Sequence, residues 1–225
     1  FRIIWQMKSN RVLLSDALPK PITMSGKKNK IDIRYLVIEA LLIVFTVSLA
    51  LALNEWRTNV KERKIENKVL KNIVSEITSN KKDLESKLLY HQQTARNIGS
   101  YLSSDSLWST LSYRSAVEAI SLMMPDGISN PNLQSGAWNS AVLSGVVNSF
   151  DYDVLYTLSN LYQVQETGPN STWKIMAGFF SESGSYDPKN ARQLALRFQL
   201  AFGELYSQER SLLTNYERAL KILEE

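Results

Sequence analysis

The stretch YLVIEALLIVFTVSLALAL, residues 35–53, decides the fold of this chain. It is apolar almost throughout and is interrupted by one acid, Glu39, and by the hydroxyls of Thr46 and Ser48. At about 1.5 Å per residue, a helix of this length reaches roughly 28 Å, close to the thickness of the hydrocarbon core of a bilayer. Basic residues flank both ends, and an aromatic residue stands near each interface. The stretch therefore predicts a single transmembrane helix.

Two other interpretations of this stretch are a buried helix of a soluble protein and a cleaved signal peptide. A buried helix of a soluble protein is usually shorter and carries a polar stripe, which this stretch lacks. A signal peptide has an apolar region of only ~7–15 residues, followed by a cleavage site of small residues. Here the apolar run continues directly into Asn54-Glu55-Trp56-Arg57. We therefore favour an uncleaved membrane anchor.

Glu39 lies about one turn inside the predicted span. An ionisable residue within a membrane helix is by default a candidate functional residue, because its burial in lipid is unfavourable. In the alternative interpretation its side chain extends towards Arg34 or Tyr35 and the headgroups. We favour this alternative because Glu39 is close to the end of the span, and we keep it as the candidate intramembrane acid.

The start and end of the span are similar to those of one bacterial family. Arg34-Tyr35-Leu36, Glu39 and the sequence ALALNEW at residues 50–56 resemble the opening of a membrane-anchored family of unknown function, the domain of unknown function numbered sixty-ninety. Its members have a short basic tail, a span with a Gly-Glu pair and then a long charged helix. This chain departs from that pattern at Ile38, in place of the Gly, and at Thr46 and Ser48, near a mid-span Gly.

The middle of the chain is similar to the same family, more loosely, through Trp138, the pair Ser144-Gly145, Leu158 and Tyr162. The resemblance implies a bacterial inner-membrane protein with a helical domain, and it implies no activity.

The first residues of the chain differ in character from the rest. Residues 1–23 contain Pro19 and Pro21 and show no sustained hydrophobic period, whereas Met24 reads like a natural start before an anchor. We expect residues 1–23 to be upstream sequence or a disordered tail, residues 24–34 a short basic tail, residues 35–53 the transmembrane helix and residues 54–225 a helical bundle domain.

Two long apolar stripes organise the predicted domain. The first, within residues 55–102, recurs every three or four residues at Leu70, Ile73, Ile77, Leu84, Leu88, Ala95, Ile98 and Leu102. The second follows the helix start Asp187-Pro188, at Leu194, Phe198, Ala201, Leu205, Leu212, Tyr216, Ala219 and Leu223, with Gln208 as its polar member. Each helix has a face to bury, so we expect the two to pack antiparallel. The predicted fold is all-α, with the transmembrane helix continuing into an antiparallel helical bundle.

Shorter helices are predicted at residues 107–124, 137–150, 152–165 and 173–180. Gly145 falls inside the second of these, which indicates close packing by a neighbouring helix. The turn-rich segment 125–132 is either a lid over a pocket or a plain connector.

Composition excludes several kinds of site. The chain has 225 residues, no cysteine and one histidine, so disulfides, thiolate metal sites and Cys nucleophiles are excluded. The sequence contains no nucleotide-binding, zinc-protease or hydrolase motif. The acids are scattered among lysines on the predicted solvent faces, where charged residues usually serve solubility. His91 falls on an apolar stripe, which is typical of a histidine packed in the core. We expect no catalytic activity, no cofactor and no metal.

The remaining candidate site is aromatic. Trp138, Tyr156, Tyr162 and Trp173 are candidates for a ligand or partner surface, although aromatic residues of helical domains more often fill the core. Two functions stay open, a membrane-anchored interaction or scaffold module and an anchored small-molecule sensing domain with an aromatic-lined pocket.

The expected partners follow from the charge. The net charge of +4 is modest and the lysines crowd around the span, which suits anionic lipid better than nucleic acid. We expect the lipid bilayer as one partner, a protein partner or self-association as another, and no nucleic acid. Long domains are translocated largely regardless of charge, so we expect the C-terminal domain on the periplasmic side of the inner membrane.

Overall fold

The computed structural model describes residues 33–111 and 113–224. The predicted tail at residues 1–23 and all but the last two residues of the basic tail at 24–34 lie outside the described residues. The chain divides into two units, Phe1–Ala52 and Leu53–Glu225. Each unit is described below by itself.

The first unit contains the apolar part of helix α1, Ile33–Ser103. This part is the one candidate membrane span among the described residues, and it is long and apolar enough to cross a bilayer. All of its described side chains are exposed. The hydroxyl of Thr46 donates to the carbonyl of Leu42 at 2.7 Å, so this polar group is satisfied within the helix.

The second unit is built from helices and contains no strand among its described residues. It contains the rest of α1, followed by α2 Asp105–Ser109, α3 Ala116–Met123, α4 Gly136–Ser144, α5 Tyr152–Gln165, α6 Ser171–Phe179 and α7 Ala191–Glu224. α5 begins and ends at the predicted residues. A short 3₁₀ helix, Pro188–Asn190, leads directly into α7. It starts with the signal that the sequence shows, since the Asp187 carboxylate accepts from the backbone N–H of Lys189 at 2.9 Å and Pro188 is the first residue.

Helices α1 and α7 pack antiparallel, which confirms the prediction. Lys81 of α1 lies 3.2 Å from Glu217 of α7, and the guanidinium of Arg192 donates to the carbonyl of Leu102 at 2.8 Å. Residue numbers therefore rise along one helix as they fall along the other. Both predicted stripes supply the core.

The core consists of two apolar clusters. One is built around Ile98, Ile120, Met176, Phe198 and Phe202, and the other around Ile73, Ile77, Leu84, Leu158 and Tyr216. All ten of these side chains are buried. Because one apolar side chain contributes about 1.5–3 kcal/mol on burial, these clusters are the main source of stability in the unit.

The predicted helix at residues 107–124 is wrong. α2 ends at Ser109, and α3 begins after Ser115, which forms a capping box with Glu118. The Ser115 hydroxyl accepts from the Glu118 backbone N–H at 3.3 Å, and the Glu118 carboxylate accepts from the Ser115 backbone N–H at 3.0 Å. This reciprocal pair starts a new helix, and the Ser-x-x-Glu spacing is visible in the sequence.

The interpretation of Gly145 is also wrong. It does not lie inside a helix against a close neighbour, since α4 ends before it and its backbone adopts φ of 73°. The atom nearest to a Cβ placed there is the side-chain nitrogen of Asn148, at 3.7 Å. Gly145 stands in this position because residues with a Cβ adopt the left-handed region at a cost.

Candidate functional site

A non-helical segment joins α3 to α4 and lies along α1. We call residues 124–135 the strap. Side chains on one face of α1 form hydrogen bonds with the strap and with the residues on either side of it. We call these side chains the polar ladder, and they are Glu76, Asn80, Asp83, Tyr90, His91 and Asn97. Their spacing of three, four or seven residues in most steps places them on one side of the helix.

The start of the strap is held by the C-terminal half of the ladder. The side-chain amide of Asn97 donates to the carbonyl of Met123 at 2.7 Å. The hydroxyl of Tyr90 donates to the carbonyl of Gly127 at 2.6 Å. Both acceptors are main-chain oxygens that no helix satisfies, so the ladder completes their hydrogen bonding.

The end of the strap is held by Asn80 and Asp83. The Asn80 side chain donates to the carbonyl of Gln134 at 2.7 Å and accepts from the backbone N–H of the same residue at 2.8 Å. The Asp83 carboxylate accepts from the backbone N–H of Asn132. The strap therefore runs antiparallel to α1, held by its backbone, and it is a fixed structural element and not a plain connector.

Glu76 caps helix α4 from outside that helix. Its carboxylate accepts from the backbone N–H of Ala137 at 2.7 Å and from that of Trp138 at 3.4 Å. The residue at the N-cap position, Ser135, makes no side-chain capping hydrogen bond. The first N–H groups of a helix lack partners within the helix and carry partial positive charge, so a carboxylate supplied by α1 suits this place.

The same carboxylate also accepts from the hydroxyl of Tyr162 at 2.7 Å. Burial raises the pKa of Tyr162 well above its ordinary value, and the hydrogen bond to Glu76 raises it further. The phenol therefore stays protonated and remains a donor to Glu76. Through this contact α1, α4 and α5 meet at one buried acid.

Gln165 extends this network to α7. Its side-chain oxygen accepts from the hydroxyl of Tyr216 at 2.6 Å, and its amide donates to the carbonyl of Gln134 at 3.1 Å. Burial raises the pKa of Tyr216, so this hydroxyl also stays protonated. The end of the strap is thus tied to α1, α5 and α7 together.

His91 and Glu209 form a fully buried pair between α1 and α7. Nδ1 of His91 lies 2.8 and 2.9 Å from the two carboxylate oxygens of Glu209. Nε2 lies 3.0 Å from the carbonyl oxygen of Ile128 and 3.3 Å from that of Ser129, both in the strap. A carbonyl oxygen only accepts, so Nε2 carries a proton, and a second proton lies between Nδ1 and the carboxylate.

The strap adopts an unusual backbone conformation where it meets this pair. Ser129 has φ of 55°, a region that residues other than glycine seldom occupy. Burial raises the pKa of Glu209, while the hydrogen bond with His91 opposes that rise. The prediction that His91 is a packed, hydrogen-bonded core residue agrees with this geometry.

The structure brings together two of the four predicted aromatic site residues. The rings of Trp138 and Tyr162 stack at a centroid distance of 5.4 Å with an interplanar angle of 4°. Both line a cleft of about 380 Å³ together with polar side chains, namely Ser135, Asn139, Ser159, Gln163, Gln165 and Glu166. Most of the surface of both aromatic side chains is buried, so the pair mainly fills core.

The other two aromatic residues do not line this cleft. Tyr156 is exposed and stacks on Tyr152 at 6.3 Å. Trp173 lies in α6, and its indole nitrogen is buried without a hydrogen-bond partner.

Glu39 lies in the first unit, on the same face of α1 as Leu42 and Thr46. Within residues 33–111 and 113–224, no three His, Asp or Glu side chains are grouped so as to hold a metal ion.

Sequence reasoning missed both buried acids. Glu76 and Glu209 were assigned with the other acids to solvent faces, and that assignment is wrong for these two. Glu209 follows Leu205 by four residues and precedes Leu212 by three, which places it on the buried stripe. The predicted polar member, Gln208, is half-buried and accepts instead from the hydroxyl of Thr172 at 2.8 Å.

Comparisons of the chain with protein-family models, with curated proteins and with solved structures give no match. The resemblance of the span and of the middle of the chain to a membrane-anchored bacterial family therefore stays a prediction.

Proposed function

We propose that this protein is a membrane-anchored interaction or scaffold module that works by contact with a partner and not by catalytic turnover. One observation carries the proposal. α1 is a single helix of 71 residues that contains the apolar run and also supplies the polar ladder and half of the α1–α7 interface. The same helix therefore carries both the candidate span and side chains that build the second unit.

The state of the buried titratable side chains supports contact over turnover. His91, Glu76 and Glu209 are the residue types from which acid–base catalysis is usually built. In the described part of the chain each of them is buried and engaged in hydrogen bonds that join helices to the strap. Groups held in this way contribute stability and are screened from substrate.

We further propose that the anchor lies in a bacterial inner membrane, with the C-terminal domain in the periplasm and the lipid bilayer as one partner. The apolar part of α1 supports the membrane location. A phosphatase fused after Glu225 should be active, and a fluorescent protein fused there should be dark. An inactive phosphatase with a bright fluorescent protein would place the domain in the cytoplasm.

The experiment that tests the contact function separates the domain from its anchor. In a deletion strain, a chain cleaved between Trp56 and Lys61 should fail to complement, although the released domain is folded and abundant. The variants His91→Ala and Glu76→Gln should complement wherever they fold. Complementation by the released domain, or a loss caused by one carboxylate change without unfolding, would contradict the proposal.

The cleft beside Trp138 and Tyr162 supports a second candidate function, a small-molecule sensing domain. Filling the cleft with Ser159→Trp should abolish function under this alternative and leave it intact under the first. The adjacent residue Asn160 is exposed and does not line the cleft, so Asn160→Trp is the matched control.

A further inference from the structure

Three successive carbonyl groups of the strap are bonded to side chains of α1. They belong to Gly127, Ile128 and Ser129, which we call the strap tip. The first accepts from the hydroxyl of Tyr90 at 2.6 Å, and the other two lie 3.0 and 3.3 Å from Nε2 of His91. Within the described part of the chain, no backbone N–H donates to any of the three. Two neighbouring side chains of α1 therefore hold the backbone of the tip.

The two ring nitrogens of His91 face acceptors of different strength. Nδ1 lies within 2.9 Å of both carboxylate oxygens of Glu209, whereas Nε2 faces the neutral carbonyl oxygens of the tip. Hydrogen bonds to a charged acceptor are roughly twice as strong as those between neutral groups. When the pair gives up one of its two protons to water, the proton that remains therefore lies between Nδ1 and the carboxylate.

Loss of the proton on Nε2 reverses the contact between His91 and the strap tip. An imidazole nitrogen without a proton is an acceptor, and it then faces two carbonyl oxygens that are acceptors as well. Because a buried carbonyl without a donor is unfavourable, the tip becomes more stable when it leaves the ring for water. Ser129 adds to this tendency, since its φ of 55° is a conformation that persists only while surrounding contacts enforce it.

The other titratable groups near the pair do not replace this proton. Burial raises the pKa of Glu209 and the hydrogen bond with His91 opposes the rise, and no further charged group among the described residues contributes. The ring of Tyr90 lies 5.7 Å from that of His91, and burial raises the pKa of its phenol, so the phenol stays protonated where an imidazole titrates. Asp126, next to the tip, is exposed. Control of the contact therefore lies with Nε2.

We infer that the strap tip is a proton-controlled latch, docked on His91 while the pair of His91 and Glu209 holds two protons and released when it holds one. Rising pH opens the latch, and falling pH closes it. The two ends of the strap stay in place, because the neutral side chains of Asn80 and Asn97 hold them.

Release of the tip uncovers part of the core. The side chain of Ile128 packs on the apolar cluster that contains Ile98 and Phe202, so its departure exposes apolar surface at that place. Water then also reaches the ring of His91. The latch is a regulatory device that goes beyond the proposed contact function and does not rest on it.

Nitrogen NMR of the full chain in detergent tests the proton step. The chain has one histidine, so histidine labelled with an NMR-active nitrogen isotope reports on His91 alone in untagged protein. Between about pH 5 and 8, where imidazoles ordinarily change charge, Nε2 should lose its proton while Nδ1 keeps one. A proton that stays on Nε2 over this range, or that leaves Nδ1 first, would overturn the inference.

A second experiment follows the movement of the tip by thiol labelling. The chain has no cysteine, so Ile128→Cys places a single thiol in the tip, and Leu133→Cys places one at a partly buried position near the end of the strap. Ser75→Cys, at an exposed position, corrects for the pH dependence of the thiol reaction.

Over the same pH range, the corrected labelling rate of Ile128→Cys should rise by about tenfold or more, because labelling follows the population of the open form. The corrected rate of Leu133→Cys should stay constant. A flat rate at Ile128→Cys would overturn the inference. An equal rise at both positions would show general loosening of the unit and would also overturn it.

The variant Glu209→Gln should keep the latch closed. Its amide donates to Nδ1 of a neutral imidazole, which then keeps its proton on Nε2 at every pH. Labelling of Ile128→Cys should therefore stay low in this background, whereas Glu224→Gln, at the exposed end of α7, should leave the rise unchanged. A rise that persists in Glu209→Gln would overturn the inference. If Glu209→Gln does not fold, the NMR measurement on the wild-type chain decides.

Discussion

Nδ1 of His91 lies 2.8 Å from a carboxylate oxygen of Glu209, and both side chains are completely buried. The pair stands between the two apolar clusters, since His91 lies between Leu84 and Ile98 along α1. The other ring nitrogen of His91 reaches the carbonyl of Ile128 in the strap. One imidazole therefore joins α1, α7 and the strap, and its removal would leave an unpaired acid in the interior.

Replacement of Glu209 by Gln should change the pH dependence of stability. Burial raises the pKa of Glu209, so the folded state holds the shared proton more tightly than the unfolded chain does. The stability from this group is present below the ordinary Glu value of about 4.3 and is lost as pH rises through the folded pKa. The difference in unfolding free energy, wild type minus Glu209→Gln, should fall by up to about 1.4 kcal/mol per pH unit above that value.

Urea unfolding of the full chain in detergent, followed by circular dichroism between acid and neutral pH, measures this difference. The amide of Gln can donate to Nδ1 of a neutral imidazole, so the variant keeps the contact without the carboxylate. Glu224→Gln, at the exposed end of the same helix, is the control and should show no such trend. A difference that is flat or rises with pH would show that the pair does not share a proton as described.

The packing of α1 on α7 predicts severe effects of charge in the core. Leu84→Asp or Leu205→Asp should each destabilise the domain by several kcal/mol, because each places an unpaired carboxylate at a fully buried position. Leu89→Asp on α1 and Leu200→Asp on α7 are matched controls at exposed leucines and should change stability by less than about 1 kcal/mol. Equal losses at buried and exposed positions in urea unfolding would refute the assigned helix faces.

The contact between Glu76 and Tyr162 should appear as a coupling energy. Tyr162→Phe removes one donor to the carboxylate, and Glu76→Gln removes the charge that faces the start of α4. Each should cost about 1–3 kcal/mol, and the double variant should cost less than the sum of the two by about 1 kcal/mol. Tyr156→Phe, at an exposed tyrosine of the same helix, should be neutral. Additive losses would mean that the two side chains act independently.

Asn80 should control the order of the end of the strap. Its side chain pairs with both main-chain groups of Gln134, so Asn80→Ala should speed amide hydrogen exchange at Gln134 by at least about tenfold, equivalent to one lost hydrogen bond of about 1.4 kcal/mol. Asn67→Ala, at an exposed asparagine on α1, is the control. Unchanged exchange in Asn80→Ala would show that Gln165 alone holds this part of the strap.

The sequence alone determined the helical class, the candidate membrane span and the two long helices. Hydrophobic periodicity reports these features directly, because every third or fourth residue of a packed helix must be apolar. The bounds of α5 and the start at Asp187-Pro188 followed from local signals of the same kind. The break before α3 was also encoded locally, in Ser115 and Glu118, and was missed because the apolar pattern runs across it.

Only the tertiary structure decided the roles of Glu76, Asn80, His91 and Glu209. Their partners lie from 37 to 118 residues away along the chain, and no local pattern predicts which polar side chain will meet which backbone group. Polarity predicts solvent exposure for such residues unless a partner removes the cost of burial. The strap supplies those partners, and its path along α1 is set by the packing of α3, α4 and α5 around the two long helices.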